Sequence, residues 1–246
     1  ERLYRKWGIS DKTDFSALGP EDWPIAKDLY AVLEDAYEHY DQEDSPLYPR
    51  ELLRELLLGL HSMCRGAESV YFNGPTNITS ARFLVFGVKD LIHANSSVKD
   101  ALLFNLLSYL SDQLLTKGNT VAALDELYLW LSNLTTIEYI RNCLKRVRKR
   151  NSALILASQN LEDFDIQGVR ELTRPLFAIP THQFLFHGGK VDKKFYMDNL
   201  QLESAEYDLI SSPNNGVCLF KCGADRNLLD VHAPPHKHAL IVGGEG

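Results

Sequence analysis

Two short apolar runs constrain the fold of this chain more than any other feature, and each ends abruptly in polar residues. TVAALDE occupies residues 120–126 and ALILASQ occupies residues 153–159, with a helix-forming segment between them. Alternation of buried strands with helices is typical of βαβ units, whose strands run parallel within one sheet. Ligands of such open sheets bind outside the carboxyl ends of the strands. The sequence therefore predicts that Asp125, Glu126 and Gln159 share one edge of a parallel sheet.

The acidic pair at the end of the first run is suited to metal-assisted hydrolysis. In a nucleotide hydrolase, an aspartate such as Asp125 holds Mg²⁺, usually through water, and a glutamate such as Glu126 orients the attacking water as a base. A glutamine such as Gln159 can bond both that water and the γ-phosphate. A structural interpretation is the alternative, because carboxylates beside a helix N-terminus are stabilised by about 0.3–1 kcal/mol. Gln159 would then only cap the end of a strand.

No phosphate-binding loop accompanies these residues in the sequence. The pattern GxxxxGK[ST] is absent, and HGGK at 187–190 lacks the first glycine and the hydroxyl residue after the lysine. Such a loop cradles the β- and γ-phosphates with backbone N–H donors and a lysine. We therefore interpret the chain as a fragment and predict that it is inactive as a hydrolase by itself.

A basic run lies just before the second apolar run and consists of Lys145, Arg146, Arg148, Lys149 and Arg150. Three interpretations stay open: a solvated basic helix end favoured by the helix dipole, an arginine finger that reaches a phosphate in a neighbouring subunit, and contact with nucleic-acid phosphates. The net charge of −7 does not support attraction of nucleic acid by the chain as a whole.

The remaining patterns divide the chain into a helical part and a mixed part. Residues 1–68 are predicted to form a helical subdomain, and residues 69–246 the α/β part. Within the second part we predict strands near 70–75, 81–88 and 183–186, a long helix over 97–117, and a helical segment over 127–150 with a break near 132–136. Helices over 190–200 and 203–211 and a closing hairpin of 216–221 with 227–231 complete the prediction. No apolar run reaches the ~18 residues that span a bilayer, and the four cysteines form no CxxC pair.

The order of these motifs resembles that of the conjugative-transfer ATPases of type IV secretion systems, within the HerA/FtsK group of RecA-like motors. The most specific blocks are TVAALDELYLWL and RNCLKRVRKRNSALILASQNLEDF, and the resemblance extends over about residues 1–242. The chain departs from the family pattern at Leu127 and Tyr128, where the family usually has Ala-Trp, and at Gly87, where it often has an acidic residue.

The resemblance implies an α/β fold with a RecA-like parallel sheet flanked by helices, an N-terminal helical subdomain inserted in the ATPase domain and a C-terminal β-hairpin. ATP and Mg²⁺ are the implied substrate and cofactor. Asp125 and Glu126 match the Walker B positions, for Mg²⁺ and for the base, and Gln159 matches the sensing glutamine. Arg148 matches the helix arginine that acts across subunits, with Arg146 and Arg150 as close alternatives.

The resemblance also implies partners and a location. We expect a homo-oligomer, a hexamer or a dimer, that works with inner-membrane components of a type IV secretion system at the cytoplasmic face of the membrane. The chain would be the C-terminal portion, with the Walker A loop upstream. Two other hypotheses are a DNA translocase or coupling ATPase of the same superfamily, which the charge does not support, and a non-catalytic module that docks partners through its helices.

Overall fold

A computed structural model describes residues 1–43, 45–78, 81–159, 170–189 and 192–241. The chain forms two compact units, Glu1–Gly87 and Val88–Gly246. The boundary that we predict after residue 68, where the helical pattern of the sequence ends, stays a prediction.

The first unit is helical, as its sequence pattern indicates. Its helices are α1 (Arg2–Lys6), α2 (Ala26–Glu38), α3 (Arg50–Cys64) and α4 (Ser69–Phe72). The side chain of Asp28 accepts a hydrogen bond from the backbone N–H of Ile25 and so caps the start of α2. Between α2 and α3, the Arg65 guanidinium pairs with Glu34 at 2.8 Å and lies over the ring of Tyr30. These contacts hold the two long helices together.

Two predicted strands are wrong. Residues 69–72 form the short helix α4, and residues 81–88 form no strand, with Phe83 and Val85 exposed by 86% and 73%. A strand is stable only when a neighbouring strand bonds its N–H and C=O groups, and no such neighbour pairs with 81–88 in the described residues. Strand propensity depends on this context more than helix propensity does.

The second unit begins with a βαβ arrangement. Helix α5 (Ser96–Ser111) continues into a π-helical turn over Asp112–Lys117 and is followed by β1 (Val121–Leu124). After a 3-10 turn at Leu127–Ser132, helix α6 (Leu134–Arg146) and a second 3-10 turn at Val147–Arg150 lead to β2 (Ala153–Leu156). The strands pair in parallel, with Val121 opposite Ala153 and Leu124 opposite Leu156. Parallel pairing of the two apolar runs is therefore confirmed.

One face of this sheet lies on the core of the unit. Ala122 and Leu124 of β1 point into it, together with buried side chains of α5 and α6, namely Leu103, Leu107, Ile137 and Ile140. On the opposite face, Val121 and Ile155 are 69% and 54% exposed. Strands that are apolar on both faces are typical of parallel sheets covered on both sides. In the described residues, only one side is covered.

The rest of the second unit contains an antiparallel sheet. Helix α7 (Arg170–Ala178) precedes β3 (His182–Leu185), and α8 (Lys193–Leu200) and α9 (Ser204–Ile210) precede β4 (Val217–Cys222), β5 (Asp225–Asp230) and α10 (Pro235–Ile241). The sheet order is β3-β4-β5, with all pairs antiparallel. The predicted hairpin is thus confirmed as β4–β5. Its inner face packs on α8 and α9 through a cluster that includes Leu185, Tyr196, Leu200, Ile210 and Leu219.

The architecture is therefore a helix-rich α/β fold with a small parallel sheet and an antiparallel hairpin sheet. The cysteines are free thiols, and three of them are buried. Burial raises the pKa of the Cys143 thiol, which is typical of an unreactive structural cysteine. Among the described helices, none is both long and apolar enough to cross a membrane.

Candidate functional site

The acidic pair lies where β1 leaves the parallel sheet. Asp125 follows Leu124 directly and is exposed, and Glu126 is half-buried. Glu126 has a left-handed backbone conformation, with φ 47° and ψ 56°. The Asp125 carboxylate oxygen Oδ1 accepts a hydrogen bond from the Glu126 N–H at 2.9 Å. For a residue other than glycine, asparagine or aspartate this conformation costs roughly 1–2 kcal/mol, so the surrounding structure must enforce it.

Hydrogen bonds of the residues before and after Glu126 hold its backbone in this conformation. Before it, the Ala157 N–H donates to the Leu124 carbonyl at 2.9 Å and extends the ladder of the parallel strands. After it, the Leu127 N–H donates to the Ala157 carbonyl at 3.0 Å, and the Leu127 side chain is only 2% exposed. Asp125 and Glu126 join two buried residues, Leu124 at the end of the strand and Leu127 at the start of the 3-10 turn. The backbone of Glu126 is thus held on both sides, and its side chain reaches Gln159 at the sheet edge.

Gln159 meets this edge from the neighbouring strand. It lies three residues beyond Leu156, the last residue of β2, and is exposed. Its side-chain Nε2 donates a hydrogen bond to Glu126 Oε1 at 2.6 Å. The structure thus brings Glu126 and Gln159 into direct contact across 33 residues of sequence. Asp125 adjoins them through its bond to the Glu126 backbone.

The arrangement offers oxygen ligands to a hard cation. Carboxylate oxygens suit Mg²⁺, which keeps several waters and commonly uses only one or two carboxylates beside the phosphates of a substrate. Among the described residues, no three or more His, Cys, Asp or Glu side chains are gathered in a cluster that could hold a metal alone. The residues at this edge therefore fit Mg²⁺ held by Asp125 through water, and they do not form a closed metal cage.

Arg148 lies at the other end of the same strands. It is an exposed residue of the 3-10 turn Val147–Arg150, which leads into the start of β2. The Asn119 N–H donates to the Arg150 carbonyl at 2.9 Å and joins this turn to the start of β1. Strands of four residues separate the two edges by roughly 13 Å. Within one copy of the chain, the structure does not bring Arg148 to the edge that contains Glu126 and Gln159.

Thr136 supports the position of the acidic pair, and the sequence did not predict this role. The hydroxyl of Thr136 is buried and donates to the Trp130 carbonyl, in the 3-10 turn that follows Glu126, and also lies 2.7 Å from the Asn133 carbonyl. The side chain of Asn133 caps α6 by accepting from the Thr135 N–H. The only signal in the sequence was the break predicted near 132–136, which the structure confirms. Thr136 ties the turn to α6 and so supports the position of the pair.

Comparison with known proteins identifies a related structure. No protein-family model and no curated protein sequence matches the chain. Among solved structures, the chain is similar to VirB4 of Thermoanaerobacter pseudethanolicus, with a TM-score of 0.80 and 29% sequence identity. The match covers 96% of this chain and 62% of the VirB4 chain. This chain therefore spans less than two thirds of the length of the structure that it matches, and its similarity to VirB4 confirms the resemblance to type IV secretion ATPases that its motifs indicated.

Proposed function

We propose that this chain is the C-terminal portion of an ATP-hydrolysing motor that powers type IV secretion or conjugative transfer. The observation that carries the proposal is the contact between Glu126 and Gln159 at the carboxyl edge of two parallel strands, 2.6 Å between Nε2 and Oε1. A base and an amide side by side at this edge are two of the groups that hydrolysis of a γ-phosphate uses. The similarity to VirB4 over 96% of the chain supports the same function.

In this proposal each side chain has one task. Asp125 would hold Mg²⁺ through water, and the cation would neutralise charge on the phosphate oxygens. Glu126 accepts a proton from a water, whose oxygen attacks the γ-phosphorus while the bond to the β–γ bridging oxygen breaks and ADP leaves. Gln159 bonds the γ-phosphate and so distinguishes ATP from ADP. The products are ADP, inorganic phosphate and the proton taken up by Glu126.

The remaining parts of the site would lie elsewhere in a longer protein. The phosphate-binding loop would come from a segment upstream, and β1 and β2 would be two strands of a larger RecA-like sheet. The exposed apolar face of Val121 and Ile155 supports this, because both faces of such a sheet are normally covered. Residues 1–68 would be the helical insertion. The assembled motor would act with inner-membrane secretion components at the cytoplasmic face of the membrane.

Hydrolysis tests the proposal directly. We expect no ATP turnover from this chain alone, and turnover from a longer protein that includes an upstream GKS or GKT loop. In that protein, Glu126→Gln should lower kcat by about 10²- to 10⁴-fold, which is the usual contribution of a general base. Glu138→Gln is the matched control, because Glu138 is an exposed glutamate on α6.

The assay is a measurement of phosphate release under saturating ATP and Mg²⁺. Full retention of activity in Glu126→Gln would contradict the base role. Complete absence of hydrolysis in the longer protein, with and without the substitution, would favour a module that only docks partners.

A DNA translocase is the second candidate, and the basic run is the observation that favours it. Arg146, Arg148, Lys149 and Arg150 are all exposed, with no ion pair among the described residues. Stimulation of the ATPase by DNA, with a steep loss of binding as salt increases, would support this candidate.

A further inference from the structure

An open groove with aromatic walls lies in the first unit. It has a volume of about 590 Å³, within the range of roughly 300–1,000 Å³ that ligand-binding clefts have. Tyr4, Phe15 and Trp23 line this aromatic groove and are 47%, 52% and 37% exposed, and Ile9 lines it as a buried residue. The rings of Phe15 and Trp23 stack with their centroids 5.9 Å apart. The aromatic groove therefore leaves apolar ring surface open to solvent.

Local hydrogen bonds hold the segment that carries these walls. The Ile9 N–H donates to the Tyr4 carbonyl at 2.9 Å and fixes the segment to α1. Further along, Asp14 Oδ1 accepts from the N–H of Ser16 at 3.0 Å and from its hydroxyl at 2.7 Å, at the start of the 3-10 turn Phe15–Ala17. Because these bonds set the backbone before any ligand arrives, binding requires little ordering of the walls.

The side chains at the aromatic groove carry negative charge. Asp11 lines the groove, is exposed and forms no ion pair among the described residues. Glu1 and Arg5 also line it and offset each other at 3.8 Å. Hydrogen bonds from Ser16, first from its hydroxyl and second from its N–H, lower the pKa of Asp14, so this carboxylate is ionised at neutral pH.

The acidic character extends beyond the groove itself. Residues 9–23 contain four acidic residues and one lysine. In the whole unit, Glu1–Gly87, 15 acidic residues outnumber nine basic ones, so six of the seven net negative charges of the chain lie here. A field of this sign attracts cations and repels nucleic acid and acidic segments. Charge complementarity therefore specifies a basic occupant.

A lysine or arginine side chain matches both features of the aromatic groove. Its aliphatic stem packs on apolar surface while its charged head stays near carboxylates, and the face of an aromatic ring attracts the head. We propose that the aromatic groove binds a basic segment of a partner protein, with a lysine or arginine side chain over Phe15 or Trp23 and its charge toward Asp11. This docking surface goes beyond the proposed function, because it requires no nucleotide.

The indole signals of this chain in NMR spectra test the proposal. The chain has three tryptophans, Trp7, Trp23 and Trp130, whose indole N–H signals are assigned by replacing each with phenylalanine. The probe is a short peptide that alternates arginine or lysine with leucine. We expect it to shift the Trp23 signal saturably, whereas the signal of Trp130, which is 4% exposed, keeps its position. Absence of a saturable shift at Trp23 would overturn the proposal.

Two altered peptides separate charge from apolar contact. A peptide with glutamate in place of every basic residue should leave the Trp23 signal unchanged, and a peptide with glycine in place of leucine should bind more weakly than the first. Equal affinities for the basic and the acidic peptide would overturn the proposal. Binding that is as tight without leucine would do the same, because charge alone would then explain it.

Substitutions in the aromatic groove measure the two contributions. Phe15→Ala removes an aromatic wall and should weaken binding of the basic peptide about 2- to 30-fold, whereas Phe15→Tyr keeps the ring and should retain it. Asp11→Asn removes the charge and should weaken binding about 2- to 5-fold. Tyr48→Ala is the matched control, because Tyr48 is 54% exposed in the same unit and does not line the groove. Unchanged affinity in both Phe15→Ala and Asp11→Asn, with the Trp7 and Trp130 signals in place, would contradict the proposal.

Two other occupants of the aromatic groove would give different results. If a second copy fills it, the Trp23 signal shifts with protein concentration in the absence of peptide. If another part of a longer protein fills it, the basic peptide shifts the Trp23 signal in this chain and not in the longer protein. Either result would overturn the proposal and leave the proposed function intact, because ATP hydrolysis is measured separately.

Discussion

At the scale of single residues, Glu126 combines a half-buried carboxylate, which we propose as the base, with a constrained backbone. Its φ of 47° is unfavourable for a glutamate, yet neighbouring hydrogen bonds and the burial of Leu127 impose it. Strained conformations of this kind persist at functional sites because the side chain must leave the backbone at a particular point. The strain at Glu126 therefore supports the proposal that its carboxylate has a functional role.

Replacement of Glu126 by glycine tests whether the positive φ at this position lowers the stability of the protein. Glycine adopts positive φ without steric cost, so Glu126→Gly should leave the free energy of unfolding unchanged or raise it by up to about 1 kcal/mol. Glu138→Gly, in the interior of α6, should lower it by about 1 kcal/mol. Urea unfolding of this chain measures both changes. Equal destabilisation by the two substitutions would show that the backbone of Glu126 is not strained.

At the scale of elements, one buried tyrosine of α8 forms a hydrogen bond with the residue that follows β3. Tyr196 is 6% exposed, and its hydroxyl donates to the Phe186 carbonyl at 3.1 Å. Gly188 lies beneath its ring, where a Cβ atom would come within 2.5 Å of the ring carbon Cε2. The glycine of the HGGK segment thus has a packing role in this chain. Burial, and secondly the neighbouring Tyr207, raise the pKa of Tyr196 to about 12.

The raised pKa predicts a loss of stability in alkali. Below pH 10 the phenol is neutral in both states, and its contribution to stability is fully present. Between pH 10 and about 12 the unfolded chain releases the proton and the folded chain retains it, so stability falls by about 2 kcal/mol. Unfolding free energies should show this fall in the wild-type protein relative to Tyr196→Phe. The exposed Tyr128→Phe should follow the wild-type curve, and parallel curves for all three proteins would contradict the assignment.

At the scale of the whole molecule, the two ends of the parallel strands have different chemistry. Carboxylates and an amide lie at one end, and the basic run that includes Arg148 lies at the other. If Arg148 binds the phosphate of a nucleotide, as we propose, it does so at the site of another copy. Repetition of that contact from copy to copy is heterologous and closes into a ring when the rotation allows it. A role of Arg148 across subunits stays a prediction, beside a solvated basic end and contact with nucleic acid.

Mixed oligomers of the longer protein test this arrangement. Glu126→Gln and Arg148→Ala should each reduce ATP hydrolysis by at least about 10²-fold, as expected for loss of a base or of an arginine finger. When the two variants are mixed, some interfaces combine an intact Glu126 with an intact Arg148. We expect activity to return at those interfaces, up to about a quarter of the wild-type rate for random assembly of head-to-tail neighbours.

Activity that stays at the level of the single variants would show that Arg148 does not act in trans. Arg146→Ala and Arg150→Ala, mixed in the same way, compare the neighbouring arginines.

The sequence by itself determined the parts of the fold that depend on local pattern. The parallel runs at 120–126 and 153–159, the break at Asn133 and the hairpin β4–β5 follow from periodicity and from turn and capping residues. Periodicity reports which face of a segment is buried, and this depends on residues only a few positions apart. The expectation that Asp125 and Gln159 end neighbouring strands came from the same source.

Only the tertiary structure decided features that depend on distant partners. The run at 81–88 has strand propensity but no strand to pair with among the described residues, so its backbone stays outside the sheets. The left-handed turn at Glu126 results from Leu127 entering the core, and the bond to Gln159 joins residues 33 positions apart. Propensity describes a residue in its local segment, whereas burial and hydrogen bonding are satisfied by whichever groups the folded chain brings near. The positions of Glu126 and of its partner Gln159 are therefore properties of the packed molecule.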